Sequence, residues 1–225
     1  MQINIVVMGP PTSGKTSVAQ FLSGYLLGVP HTSTGDLLRE SVKAGTSFGK
    51  HAKGFMLAGQ LVPDYILREI MAGRLQMNDA ANGMVLDGYP RTLNQASDLD
   101  QILEGRGTNL DLVINISLPS EVAVERMLTR QVCQGTIAHS YHHIVKPPRV
   151  EGICDVDETT LLTREDCKVE VAQTRLCHYE QHALPLRRHY REQNLLREID
   201  GNRLMSLVIA EAVLTTQYDV IAQKV

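Results

Sequence analysis

The sequence predicts an α/β fold in three layers, a parallel sheet flanked by helices and carrying two inserted segments. Three observations predict it. Short β-branched runs alternate with helical periodicities, the first run closes on a glycine-rich loop, and two stretches break the rhythm, 34–63 and 130–166. The 225 residues are 43% hydrophobic and 21% charged, enough apolar material to bury such a core.

Ile3 to Met8 is a short apolar run closed by Gly9, the pattern of a buried parallel strand. From Lys15 to Gly28, Val18, Phe21, Leu22, Tyr25 and Leu26 recur at helical spacing, and Gly28-Val29-Pro30 ends that helix. Gly35 to Pro63 is helical but punctuated by glycine. Met84-Val85-Leu86 and Leu112 to Ile116 read as further strands, each followed by a helical pattern, Leu93 to Leu103 and Glu121 to Arg130. Gln131 to Asp166 has little periodicity and contains Pro147-Pro148; a stretch this long inside a compact domain is usually functional. Leu196 to Ile199 is a weaker strand before a last helix from about Leu204 to Thr216. The core is thus expected over 1–33, 64–129 and 167–225, with hinges near Thr34, Pro63, Arg130 and Asp166.

Lys plus Arg number 22 and Asp plus Glu 25, a net charge of −3 that lends no support to nucleic-acid binding. No apolar run near the length of a membrane span stands out, and no basic region precedes the first strand as in a secretory signal. Neither nucleic acid nor membrane is an expected partner; a cytoplasmic monomer is, with the four cysteines as thiols or metal ligands.

Gly9-Pro-Pro-Thr-Ser-Gly14-Lys15-Thr16 matches G-x-x-x-x-G-K-[ST] between a predicted strand and a predicted helix. Glycines let successive backbone N–H groups curl around an anion, and the helix N-terminus adds its positive end. Lys15 can reach the β- and γ-phosphates and Thr16 can offer its hydroxyl to Mg²⁺, with Thr12, Ser13, Gly14 and Ser17 completing the loop. This is the phosphate loop of nucleoside triphosphate-binding (P-loop NTPase) folds.

Three further segments narrow the class: His31-Thr-Ser-Thr-Gly-Asp-Leu-Leu-Arg39, Gly59-Gln-Leu-Val-Pro-Asp64 and Leu86-Asp-Gly-Tyr-Pro-Arg-Thr-Leu-Asn-Gln95. With Arg126, Arg130, Tyr141-His142, Pro147-Pro148, Arg164, Arg175 and Ile199-Asp-Gly201, they resemble in order and spacing the adenylate kinases with the long lid. The resemblance implies an AMP-binding insert at 34–63, a lid at 130–166 and reversible transfer between Mg·ATP and AMP, giving two ADP. It implies that Arg39 and Arg91 hold the AMP phosphate, while Arg126, Arg130, Arg164 and Arg175 surround the ATP phosphates and the phosphoryl group in flight. Catalysis would fall to Lys15, Arg91, Arg126, Arg130, Arg164 and Arg175, since planar guanidinium groups grip phosphate oxygens in pairs. Thr34, Gln95, the backbone of Gln60, Leu61 and Val62, and Gly88, Tyr89 and Pro90 resemble the AMP pocket, with Arg164 and Arg175 reaching it. Ser140, Tyr141 and the backbone near Arg203 resemble the surroundings of the ATP base. Asp87, at a strand end, would orient Mg²⁺ through water together with Thr16. The alternatives are a kinase for GMP, UMP or CMP and a weakly catalytic nucleotide sensor.

The chain departs from the family pattern at four places, one of them Thr16-Ser17, which stands where the phosphate loop usually has Gly-Thr. Thr12 stands where the loop usually has glycine, so a positive φ there would strain a β-branched residue. Asp166-Cys167 replaces a pair of aspartates, removing a carboxylate. In the lid, Cys154-Asp-Val-Asp157 resembles half of a structural zinc site, whereas Cys133-Gln-Gly-Thr136 lacks its second ligand. The expectation is a metal-free lid; the alternative is zinc held by Cys133, His139, Cys154 and Asp157. Arg187, Arg188 and Arg191 match nothing and read as surface charges.

Overall fold

The computed structural model describes residues 2–133, 139–163 and 168–224. Five parallel strands form the central sheet: β1 (Ile3–Met8), β2 (His31–Ser33), β3 (Gly83–Asp87), β4 (Leu112–Ser117) and, from the end of the chain, Leu196–Asp200. Their order is β2-β3-β1-β4 and then the Leu196–Asp200 strand. β1 pairs with β3 from Ile3↔Gly83 to Val7↔Asp87 and with β4 from Ile5↔Leu112 to Met8↔Asn115. All six residues of β1 are buried, as its unbroken apolar run requires of the middle strand of a sheet covered on both faces.

Alternation across the pleat explains the three layers. Ile3, Ile5 and Val7 join Val85, Leu112, Ile114 and Ile116 in one core, against Val18, Val208 and Ala212. Val6 and Met8 join Met84, Leu86 and Val113 in the other, against Leu67, Leu99, Leu186 and Tyr190. Helices α1 (Lys15–Phe21) and, near the C-terminus, Met205–Thr216 cover the first face. Helices α4 (Asp64–Leu75), α5 (Leu93–Gly105) and the 24-residue Val169–Glu192 cover the second. The segments α2 (Thr34–Lys43) and α3 (Ser47–Leu57) precede α4, capped at their N-termini by the Ser33 and Thr46 hydroxyls.

Three findings differ from the sequence reading. The Lys15–Gly28 helix is α-helical only to Phe21 and widens into a π-helical turn over Leu22–Leu27 before Gly28 ends it at φ 63°. The three-residue β2 and helix α4 were not anticipated. The weakly periodic stretch after α6 (Ser120–Leu128) contains an antiparallel sheet of its own: β5 (Gln131–Cys133) lies between β6 (Ser140–Tyr141) and β7 (Leu161–Thr163). With β6 and β7 counted, the last strand of the main sheet is β8 (Leu196–Asp200), and the helices after α6 are α7 (Val169–Glu192) and α8 (Met205–Thr216).

The C-terminal helical run Met205–Lys224 is long and apolar enough by length and composition to cross a bilayer, which corrects the sequence reading that no such run exists. In this fold Val208, Ala212, Thr216 and Val220 are buried on one side of it, and the two acidic residues Glu211 and Asp219 pair with Arg203 and Arg197. That side packs on the sheet, while Leu207, Leu214 and Tyr218 on the same run are exposed.

Candidate active site

The strands of a parallel sheet end together, and their carboxyl edge is where open α/β sheets bind ligands. Here the loop after β1 begins beside Asp87, the last residue of β3, and Ser33, the last of β2. Gly9 has φ 148°, and a Cβ there would sit 2.4 Å from the Ile116 carbonyl oxygen, so the loop needs glycine to leave the sheet at this point. Gly14, at φ 95°, occupies the N-cap position of α1.

Thr12 has φ 63°, the left-handed conformation that its β-branched side chain resists. Its hydroxyl lies 2.5 Å from the Pro11 carbonyl oxygen and 3.0 Å from that of Ala123, tying the loop to α6. The strain argued from the family departure is therefore built into the loop.

Among the described residues, one cleft is lined by Thr12, Gly14, Lys15, Thr16 and Ser17 from the loop and the start of α1, Arg126 from α6, Arg130 from the connection between α6 and β5, and Ser140 and Tyr141 from β6. Nine of the residues assigned to the triphosphate nucleotide thus share one wall. Of the other two, Ser13 is buried beneath the loop, and the Arg203 side chain turns to the Asp200 carbonyl and to Glu211. His142, Val145, Lys146 and Met205 complete the lining and were missed; only folding brings them to the loop. Arg164 lies outside the described residues, as do Thr136, Asp166 and Cys167.

The electrostatics tie these groups to the second set. Lys15 donates to the Pro10 carbonyl oxygen at 3.0 Å. Loss of hydration lowers its ammonium pKa to about 8, against the pull of Asp87 and with help from the positive charges of Arg91, Arg130 and Arg175. The Arg91 guanidinium is desolvated by surrounding protein, and Arg175 and Arg39 depress its pKa further while Asp87 opposes them. Burial alone would raise the Asp87 carboxyl, but His31, Lys15 and the Thr16 hydroxyl outweigh it and hold it below the usual range. Cations from the loop, α2, the segment after β3, the connection after α6, and α7 therefore act on one another around one buried carboxylate.

Below Asp87, the Gly88 carbonyl accepts from the Thr34 hydroxyl at 3.0 Å and from Arg91 Nε at 2.8 Å. Tyr89 and Pro90 are buried behind it, joined by a cis peptide bond. The backbone N–H of Arg91 donates to Gln95 Oε1 at 2.8 Å, and Gln95 is fully buried. Gln60, Leu61 and Val62 form the connection between α3 and α4, with Val62 buried. Arg39 pairs with Asp36 on α2 at 2.5 Å. Arg187 and Arg191 pair with Glu198, and Arg188 with Glu192, where the sequence reading expected only solvated surface charges.

In the small sheet, Cys133 N donates to the His139 carbonyl at 3.0 Å, so β5–β6 pairing returns His139 to the side of Cys133. The ligand atoms of Cys133, His139, Cys154 and Asp157 all lie within 4.8 Å of one another. Cys133 Sγ is 2.9 Å from Asp157 Oδ2, and Cys154 Sγ is 3.4 Å from His139 Nδ1. Hydrogen bonds from Cys133, Cys154 and Thr159 hold the Asp157 carboxyl well below its ordinary pKa. The missing ligand spacing of the first half is made good by His139.

A strand–loop–helix phosphate cradle at the carboxyl edge of a parallel sheet, faced by converging arginines, defines a nucleotide-dependent phosphotransferase of the P-loop class. The sequence matches the adenylate kinase family over residues 7–195. It is 43% identical to an adenylate kinase of Caldicellulosiruptor saccharolyticus, covering 86% of this chain and 89% of that one. It is 41% identical to an adenylate kinase of Shouchella clausii (93% and 95%) and 40% identical to one of Methanosarcina mazei (93% and 96%). The chain belongs to the adenylate kinase family.

Proposed function

We propose that this member of the adenylate kinase family transfers a phosphoryl group directly between Mg·ATP and AMP, giving two ADP, with the residues of the cleft in distinct roles. The single observation that carries the residue assignment is the mutual electrostatic influence of Lys15, Arg91, Arg130 and Arg175 around Asp87. Transfer between two nucleotides brings many negative charges together and leaves little covalent work for protein, so positioning and cationic clamps dominate.

In this reading the loop amides and Lys15 hold the β- and γ-phosphates, and Arg126 and Arg130 grip the ATP side from α6 and the connection after it. Arg39 and Arg91 fix the AMP phosphate, while Arg175, with Arg164 from the lid, faces the group being transferred. Thr34, Gln95 and the Gln60–Val62 backbone receive the AMP base; Ser140, Tyr141 and the backbone near Arg203 receive that of ATP. Thr16 and Asp87, 2.6 Å apart, are the hard oxygen donors suited to Mg²⁺. When bound with ATP, Mg²⁺ supplies charge neutralisation between the phosphates. Segments 34–63 and 130–166 serve as lids that exclude water from the site.

The lid also carries a structural zinc in this reading. Two thiols, an imidazole and a carboxylate gathered within 4.8 Å are a donor set that zinc accepts in tetrahedral geometry. A monomer is the oligomeric state of this reading.

The test is a coupled assay of ADP formation with AMP, GMP, UMP and CMP. AMP is expected to be the preferred acceptor; equal or better turnover with another monophosphate would overturn the acceptor assignment.

A further inference from the structure

Asp64 opens α4, follows Pro63, and belongs to none of the roles assigned above. Its carboxylate nevertheless reaches the side chain of Gln95, the fully buried residue assigned above to the acceptor base. Oδ1 accepts from Gln95 Nε2 at 2.6 Å, and Oδ2 accepts from the Thr92 hydroxyl at 3.0 Å. The Thr92 oxygen in turn accepts from the Gln95 backbone N–H at 3.2 Å, capping α5. On the other side of the same carboxamide, Arg91 N donates to Gln95 Oε1 at 2.8 Å.

The chemistry of these partners fixes which way the amide faces. A carboxylate only accepts, so it must meet the NH₂; a backbone N–H only donates, so it must meet the oxygen. Turning the amide over would set Oε1 against a carboxylate oxygen and Nε2 against an N–H donor, two repulsive contacts in a fully buried position. A primary amide has two N–H groups and an oxygen with two lone pairs. Among the described residues, the Asp64 and Arg91 contacts use one of each, leaving one N–H and one acceptor position for a base.

We propose that Asp64 is a positioning residue that selects 6-aminopurine monophosphates over 6-oxopurine monophosphates by locking the orientation of the Gln95 carboxamide. A 6-aminopurine presents a donor at the exocyclic group and an acceptor at N1, which complement a fixed oxygen and N–H. A 6-oxopurine in the same pose presents the reverse pattern and would pair only with the amide turned over. A site built to hydrogen-bond one pattern rejects the other strongly, because buried polar groups are left unpaired. This inference rests on the proposal that Gln95 receives the acceptor base.

The test measures kcat and KM for AMP, GMP and ATP in the wild type, Asp64→Asn and Gln95→Ala. An Asn amide can offer either a donor or an acceptor to Gln95, so Asp64→Asn removes one of the two contacts that fix the amide and leaves only the Arg91 N–H opposing the turned orientation. The GMP-to-AMP ratio of kcat/KM should rise about tenfold or more, a change of about 1.4 kcal/mol. The AMP loss should fall mainly on KM, with the KM for ATP unchanged. Should Asp64→Asn fail to fold, Asp64→Ser, whose hydroxyl can donate or accept, carries the same expectation. Gln95→Ala should raise the AMP KM tenfold or more; an unchanged value overturns the pocket assignment and the inference with it. An impaired Gln95→Ala beside an Asp64 variant that keeps the wild-type GMP-to-AMP ratio overturns the Asp64 role alone.

Discussion

The Thr16 hydroxyl donates to the Asp87 carboxylate across 2.6 Å, joining the first residues of α1 to the last residue of β3. Seventy-one positions apart in sequence, the two meet because β3 lies beside β1 in parallel register. That one contact puts the hydroxyl of the phosphate loop and the carboxylate of the neighbouring strand where a hard cation would be bound with the nucleotide. Asp87→Asn keeps the shape but removes the carboxylate's negative charge; turnover should fall by about 10²-fold or more, and raised Mg²⁺ should restore only part of it, in a magnesium titration of initial rates.

Arg91→Ala should reduce kcat/KM for AMP by about 10²- to 10³-fold, the scale of removing one donor aimed at developing charge. Arg91 is an exposed residue and its guanidinium is repelled by Arg39 and Arg175, so folding should suffer little. Thermal unfolding beside steady-state kinetics separates the two effects; near-full activity with AMP would contradict its assignment.

Lys15 gives a pH dependence with a definite sign. Its folded-state pKa, about 8, lies below the model-peptide value of 10.5, so between these limits the unfolded chain binds more protons than the folded one. The penalty of holding this ammonium in the cleft is complete below about pH 8 and is relieved as pH rises toward 10.5. Lys15→Met, which lacks the charge, should therefore be the more stable protein near pH 7, and its advantage should shrink across that window in urea titrations. Triphosphate binding at pH 8 to 9 should take up protons, visible as a dependence of calorimetric enthalpy on the ionisation heat of the buffer.

Thr12 separates strain from hydrogen bonding. Thr12→Val keeps the β-branch at φ 63° and loses the hydroxyl contact to Ala123, whereas Thr12→Gly loses the contact and the strain together. Thr12→Gly should exceed Thr12→Val in unfolding free energy by about 2 kcal/mol, within the 1–3 kcal/mol expected for such backbone strain. Equal stabilities would mean that the loop carries no such strain.

The lid donor set should retain about one zinc per chain on metal analysis, and a chelator should lower the unfolding temperature of the wild type. Cys154→Ser should bind less metal and respond less to the chelator. Protein that is metal-free after expression with zinc, and indifferent to chelation, would restore the metal-free lid.

What the sequence revealed and what it hid divide along a physical line. The phosphate loop was legible because its glycines, Lys15 and Thr16 are contiguous and its flanking strand and helix are strongly patterned. The strands β1, β3 and β4 were legible because both faces are buried and their runs are unbroken. β2 escaped because three residues carry too little periodicity, and α4 because its apolar face of Ile66, Leu67, Met71 and Leu75 runs on from a glycine-punctuated helical stretch with only Pro63 between them. The lid sheet has strands of two and three residues, so the return of His139 to Cys133 depends on pairing that no local pattern announces. His142, Lys146 and Met205 line the cleft, and Asp64 reaches Gln95, only through tertiary packing; the sequence offered no signal for them beyond the neighbouring motifs.

The crowding of Lys15, Arg91, Arg130 and Arg175 has a practical consequence for anyone handling the molecule. Their repulsion should make the fold responsive to small multivalent oxyanions, so sulfate or phosphate in a buffer is expected to compete with nucleotide and to raise the melting temperature together. Melting temperatures and Michaelis constants compared between laboratories will agree only when the salt is the same.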